Sequence, residues 1–281
     1  MKTGLVLEGG AMRGMFTAGV LDVLMEKDVK IDGIVGVSAG ALFGVNYASG
    51  QIGRAIRYNK KYNGDRHYMG VLPLLREGNI VSTEFAYRKV PRELDPFDDD
   101  AFRKRAMPFY AVVTRVEDGQ PEYHEIHSVF EQMETLRASG SMPFVSKPVI
   151  LDGKPYLDGG ISDSIPFRWM QAQGVEKIVV VLTQAASYRK KAEASALIRL
   201  YGRKFPAIAE ALKTRPDRYN GTVRELCEEE AAGNLFVIRP PKPLDVKKIE
   251  KDPEKLQRAY DVGRAEAEAV LPSLRAFLES Y

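Results

Sequence analysis

Gly36-Val37-Ser38-Ala39-Gly40 closes an apolar run, and Asp158-Gly159-Gly160 stands far downstream of it. A serine hydroxyl becomes a nucleophile toward an ester carbonyl when a neighbouring base takes its proton. His67, His124 and His127 all precede Asp158, whereas the α/β-hydrolase order of serine, acid, histidine puts the histidine last. A dyad is simpler: Asp158 hydrogen-bonds to Ser38, takes its proton during attack and returns it to the leaving group, provided burial raises its pKa. Two alternatives stay open. Other folds permute the triad, so His124 or His127 can be recruited, although each also suits the polar face of a strand over 122–126. Asp-Gly is also a common turn pair, but here Asp158 ends the apolar stretch 149–157, and Gly159 and Gly160 let the chain pass close to a neighbour.

The elements that must hold these groups are legible around them. Residues 31–37 are expected to form a buried strand and 39–48 a small-residue helix, so Ser38 falls on a strand-to-helix turn. Such a turn strains the central residue and brings its flanks against strand and helix, where Gly36 and Gly40 carry no side chain to collide. The N–H of Ala39 and the positive helix end favour an oxyanion. An ordinary glycine-rich turn with a serine cap gives the same five letters, so the preceding strand is what sharpens the motif. Near the start, a strand over Thr3–Leu7 runs into Glu8-Gly9-Gly10-Ala11-Met12-Arg13-Gly14 and then a helix over 15–26. The N–H groups of Gly9, Gly10 and Ala11 can converge on a carbonyl oxygen as it gains charge, with Arg13 adding positive charge. A nucleotide loop is disfavoured, because the middle glycine of that fingerprint is missing and no Gly-Lys-Ser/Thr follows. Arg13 also fits a structural ion pair.

Taken together, the three patches resemble those of the bacterial patatin-like phospholipases, which carry a G-G-G-x-R/K-G loop, a G-x-S-x-G elbow and a D-G-G/A aspartate, in that order and without a catalytic histidine. Gly9, Gly10, Arg13 and Gly14 match the loop, Gly36, Ser38 and Gly40 the elbow, and Asp158 and Gly159 the third block. Ala138-Ser139-Gly140-Ser141-Met142-Pro143 is similar to the A-S-x-A-x-P segment before the family's aspartate. The likeness covers residues 3–185. Ala11 stands where many members have a third glycine, and Asp163-Ser164 where many have asparagine before Pro166; a second carboxylate close to Asp158 would raise its pKa. The resemblance implies an α/β fold, a three-layer α/β/α sandwich with a central, mostly parallel sheet. It implies a serine lipid acyl hydrolase of phospholipase A, lysophospholipase or carboxylesterase type, with Ser38 and Asp158 catalytic. Gly9, Gly10, Ala11, Arg13 and Ala39 then hold the oxyanion, and Gly14, Gly36, Gly40, Gly159 and Gly160 support the motifs. No metal and no cofactor is expected, since His, Cys and carboxylates do not cluster at ligand spacing. Acyl transfer through the same acyl-enzyme, and a non-catalytic lipid-binding regulator, are the competing readings.

Composition sets the outer bounds. With 281 residues and 44% hydrophobic content the chain can bury a full core, and its alternating strand and helix signals fit one α/β domain with an appendage. The single cysteine, Cys227, rules out an internal disulfide framework. No run of about 18 apolar residues occurs and the start lacks the sections of a secretory signal. The expected location is cytoplasmic, with the inner membrane face as a peripheral site.

Residues 1–185 are expected to form the catalytic core and 186–281 a mainly helical extension with one edge strand, packed on that core. Within the core, 54–68 is basic and tyrosine-rich, 94–100 is acidic and loop-like, 109–114 and 122–126 form a hairpin about Asp118-Gly119, and 177–182 is a last buried strand. Segment 186–219 holds nine Lys/Arg against three Asp/Glu, a local charge of +6 where the whole chain has +3. Its interleaved Tyr188, Leu197, Leu200, Arg189, Lys190 and Lys191 suit a helix resting on an anionic membrane, or an outer helix whose apolar side packs on the core. Nothing resembles a nucleic-acid module. Residues 236–238 are expected to add the edge strand before Pro240-Pro241-Lys242-Pro243. Pro253 then opens a terminal helix whose stripe (Leu256, Tyr260, Gly263, Ala267, Val270, Leu274, Phe277, Tyr281) packs on the core.

Overall fold

The computed structural model describes residues 2–280. In chain order the elements are β1 (Thr3–Leu7), α1 (Gly14–Glu26), β2 (Gly33–Val37), α2 (Ala39–Ser49), α3 (Arg54–Tyr62) and α4 (Val71–Glu77). A π-helix (Phe85–Leu94), α5 (Asp99–Arg105), β3 (Phe109–Arg115), β4 (Pro121–Glu125), α6 (Met133–Ser139), β5 (Val149–Leu151) and β6 (Lys154–Asp158) follow. The chain ends with α7 (Phe167–Ala172), β7 (Lys177–Val181), α8 (Ser195–Gly202), α9 (Pro206–Ala231), β8 (Leu235–Ile238) and α10 (Pro253–Glu279).

One sheet runs in the order β5-β6-β3-β2-β1-β7-β8, with β4 also paired to β3. The β3-β2-β1-β7-β8 block is parallel throughout, β4 and β6 join β3 antiparallel, and β5 pairs antiparallel with β6. Its central strands are apolar on both faces, as a parallel sheet covered on both sides requires. Leu5, Leu7, Ile34 and Phe109 point into a core shared with α1, α2 and α10. Val6, Val35, Val37 and Val112 point the other way, toward α7 and α9. This is the expected α/β/α sandwich. Among the described residues, no helix is long and apolar enough to cross a membrane.

The register places the two motif residues together. On one edge of β3, Val37 at the end of β2 lies opposite Val112, and Asp158 at the end of β6 lies opposite the next residue, Val113. The other edge of β3 is taken by β4, so β2 and β6 approach head to head along the same edge. Their C-terminal ends meet where the chain leaves β2 at Ser38.

Several local expectations are corrected. The apolar stretch 149–157 is a hairpin of two strands, turned at Asp152 and Gly153, both with positive φ. The strand expected over 31–37 begins at Gly33, although Ile31 is buried. Segment 186–219 is not one amphipathic helix: 186–194 is irregular, and α8 and the first half of α9 follow. Ile208 and Tyr219 are buried there while Leu197 and Leu200 are exposed. The α10 stripe faces α1 at Leu256, Tyr260, Gly263, Ala267 and Leu274, Val270 and Phe277 are half-buried, and Tyr281 lies outside the described residues.

Candidate active site

Ser38 sits between β2 and α2 with φ 54° and ψ −121°, a strained conformation for a residue with a side chain. Close approach explains its glycines. A Cβ at Gly36 would lie 2.6 Å from the Ala41 backbone, and one at Gly40 2.3 Å from the Leu7 carbonyl. The Ser38 N–H donates to Ser139 Oγ at 2.9 Å, tying the turn to the end of α6. Its hydroxyl donates to Asp158 Oδ2 at 2.7 Å.

Asp158 is buried and anchored on every side. Its Oδ1 accepts from the Gly160 N–H at 2.8 Å, its carbonyl accepts from Thr114 Oγ1 at 2.8 Å, and its N–H donates to the Ser141 carbonyl at 2.9 Å. A side chain at Gly159 would strike the Val112 carbonyl, so this passage is open only to glycine. Burial pushes the Asp158 carboxyl above the usual carboxylate range, opposed by the Ser38 hydroxyl, Arg215, the Gly160 N–H and Lys190. Asp163, the second carboxylate, accepts from the Tyr123 hydroxyl at 2.7 Å, and burial is the largest influence on Asp158.

Gly9 and Gly10 run beside the elbow: a Cβ on Gly9 would lie 3.0 Å from Ser38 Cβ, and one on Gly10 2.5 Å from Thr183 Oγ1. Ala11 has φ 49°, the left-handed region that explains a preference for glycine there. Glu8 pins the loop. It accepts from Thr183 N–H at 2.6 Å and from the Tyr219 hydroxyl at 2.6 Å, and burial pushes its carboxyl up. Gly14 packs under Phe43 and Ala39, the residue that opens α2 directly after Ser38. Arg13, in place of an ion pair, meets Gln184: with the amide oxygen turned toward it, Gln184 accepts from Nε at 3.1 Å and Nη2 at 3.2 Å.

The histidines are occupied elsewhere. His67 pairs with Asp65 at 3.0 Å, His124 with Glu122 at 2.9 Å, and His127 is exposed. The titratable side chain that meets the Ser38 hydroxyl is the Asp158 carboxyl.

Two cavities converge on Ser38. The first, about 110 Å³, is lined by apolar side chains such as Leu42, Phe43, Met69, Val81, Tyr87 and Val90. Part of its wall is the π-helix, a form that recurs at functional sites. The second, about 310 Å³, contains Ser38, Asp158 and the Gly9–Ala11 backbone, together with Arg13, Lys190 and Arg215. Ser139, Lys190 and Arg215 were not singled out from sequence as site residues. Ser139 lies in the 138–143 segment, whose likeness to a family block was the one signal available; the two cations were hidden in a generally basic stretch.

The family model for patatin-like phospholipase matches residues 5–169, and one for a domain of unknown function (DUF6363) matches 205–279. The uncharacterised protein YjjU of Escherichia coli K12 is 30% identical over 272 residues, covering 94% of this chain and 75% of that protein. Lysophospholipase nte1 of Aspergillus fumigatus is 30% identical over 183 residues, 63% of this chain but only 12% of the fungal protein. Among solved structures, VipD of Legionella pneumophila superposes with a TM-score of 0.46 at 14% identity, covering 97% of this chain and 67% of VipD. The chain belongs to the patatin-like phospholipase family.

Proposed function

We propose that this chain is a serine hydrolase of lipid acyl esters working through a Ser38–Asp158 dyad. The observation that carries the reading is the 2.7 Å hydrogen bond from the Ser38 hydroxyl to Asp158 in a strained elbow. In the first half-reaction Ser38 Oγ attacks the ester carbonyl and its proton passes to Asp158 Oδ2. The N–H groups of Gly9, Gly10, Ala11 and Ala39 stabilise the oxyanion, and Arg13 adds a positive charge to the same wall. As the tetrahedral species collapses, the C–O bond to the leaving alcohol breaks and Asp158 hands that oxygen the proton. Water then attacks the acyl-enzyme, gives a proton to Asp158, and the proton returns to Ser38 as the fatty acid leaves. The raised pKa of Asp158 suits a group that both takes and gives a proton. The apolar cavity suits the acyl chain.

The family membership and the lysophospholipase named among the relatives support a lipid ester as substrate. Turnover of a short-chain phospholipid should disappear in Ser38→Ala and fall by about 10²–10⁴ in Asp158→Asn, the range for loss of a general base. His124→Ala and His127→Ala should keep appreciable activity. Full turnover by folded Ser38→Ala would end the proposal.

A further inference from the structure

The polar cavity beside Ser38 carries more positive charge than dyad chemistry uses. Arg13, Lys190, Arg215 and Lys248 line it against Glu8, Asp158 and Glu193. Burial pushes two of those three carboxyls toward their neutral forms, and Glu193 lies 3.8 Å from Lys248. The remaining cations crowd one another, with Arg215, Lys248 and Arg13 all acting against the Lys190 charge and Glu8 opposing them. Arg13 meets the Gln184 amide, and the Lys190 ammonium lies 4.5 Å from the centre of the Tyr219 ring. Arg215 Nε is buried with no hydrogen-bond partner. Leaving such a donor unpaired is costly, the more so on a charged group.

Arg215 also stands against the reacting groups. A methyl added at Gly160 would lie 3.1 Å from Asp158 Oδ1 and 3.2 Å from Arg215 Nη2, so one glycine separates the base from the guanidinium. An ester carbonyl over Ser38 with its acyl chain in the apolar cavity leaves the alcohol portion of the substrate on the Arg215 side. In a glycerophospholipid that portion carries a phosphate one glycerol unit away, and a guanidinium binds phosphate bidentately.

We propose that Arg215 and Lys190, flanked by Arg13 and Lys248, form a subsite for the phosphate of the substrate's headgroup. Lys190 and Arg215 lie beyond the patatin-like match, and Arg215 and Lys248 fall in the segment matched by the domain of unknown function. That segment thereby acquires a task, which is to close the catalytic cavity with a wall selective for anionic esters. The inference deepens the hydrolase reading and rests on it for the role of Ser38.

Binding to Ser38→Ala protein, measured by calorimetry, separates the two ideas because no turnover is needed. The probes are a monomeric short-chain lysophosphatidylglycerol, the monoacylglycerol with the same acyl chain, and inorganic phosphate. The lysophospholipid should bind at least tenfold more tightly than the monoacylglycerol. Arg215→Gln and Lys190→Gln, each added to Ser38→Ala, should each cut that preference at least fivefold. Arg215→Lys should restore part of it. Inorganic phosphate should compete with the lysophospholipid but bind more weakly. A preference unchanged within twofold in the folded variants would overturn the subsite, and if one variant fails to fold the other decides. Phosphate binding as tightly as the lysophospholipid would also overturn it, marking a site for free anions. A wild-type protein that cleaves neither ester yet shows the preference would refute the hydrolase reading alone.

Discussion

At the residue scale the proposed chemistry turns on one carboxyl held where ionisation is costly. Burial raises the Asp158 pKa above 3.8, so if this carboxyl is the base that the proposal makes it, the acid limb of kcat/KM should lie at higher pH than an ordinary carboxylate gives. The same shift has a stability consequence. A carboxyl whose folded pKa is raised contributes stability that is complete below its unfolded value and lost as pH rises through the folded one. Asp158→Asn removes that loss, so its Tm relative to the wild type should rise from about pH 4 to the raised folded pKa and level off above it; a margin with no pH dependence across that window would contradict the cause assigned here. Ser139 makes a different contribution. Ser139→Ala leaves the buried Ser38 N–H without an acceptor and should destabilise the fold by about 1–3 kcal/mol in denaturant unfolding. The meeting of Ser38 and Asp158 was legible in the sequence because each closes an apolar run with glycines beside it. Ser139 was less so, since a hydroxyl that serves a backbone N–H looks like any other serine.

Among the elements, the decisive arrangement is the head-to-head meeting of β2 and β6 along one edge of β3. It brings Ser38 to Asp158 across 120 residues of chain and leaves the space that the glycine loop fills. The strand-turn-helix at Ser38 could be read in advance, since apolar run, glycines and small-residue helix all agree. The hairpin at 149–158 also had its signal in the sequence, since Asp152-Gly153 parts Val149–Leu151 from Tyr156 and Leu157, but the apolar residues on both sides mask it as one strand. Tight backbone approach at the elbow makes Gly40→Ala costly: its methyl would meet the Leu7 carbonyl, and a loss of about 2–3 kcal/mol is expected. Ala11→Gly works in the opposite direction. Relief of the left-handed alanine, worth about 1–2 kcal/mol, exceeds the added chain entropy of about 0.5–1 kcal/mol, so unfolding should shift to higher denaturant.

For the whole molecule, the segment beyond β7 is joined to the rest through β8, α9, α10 and the loop before α10, whose Lys248 carbonyl accepts from the Met12 N–H. β8 extends the sheet, α9 covers one face and holds Glu8 through Tyr219, and α10 lies against α1 so closely that a Cβ on Gly263 would come 2.0 Å from the Phe16 carbonyl. Its basic excess was visible in the sequence, but which cations turn inward depends on packing that spacing along a chain does not encode. Lys190 is one of them. Burial first, then Arg215, pull its ammonium down to about 7, with Glu8 opposing and Lys248 and Arg13 adding to the fall. Binding of anionic lysophospholipid to Ser38→Ala protein should therefore weaken as pH rises above about 7, and Lys190→Gln should flatten that dependence. All of these features converge on one hydroxyl. The most direct measurement is peptide mass analysis after treatment with a fluorophosphonate, which adds covalently to an activated serine. The expected result is an adduct on Ser38 that vanishes together with esterase activity in Ser38→Ala and is strongly slowed in Asp158→Asn. An adduct on another serine, or unmodified Ser38 in enzyme that the reagent has inactivated, would contradict it.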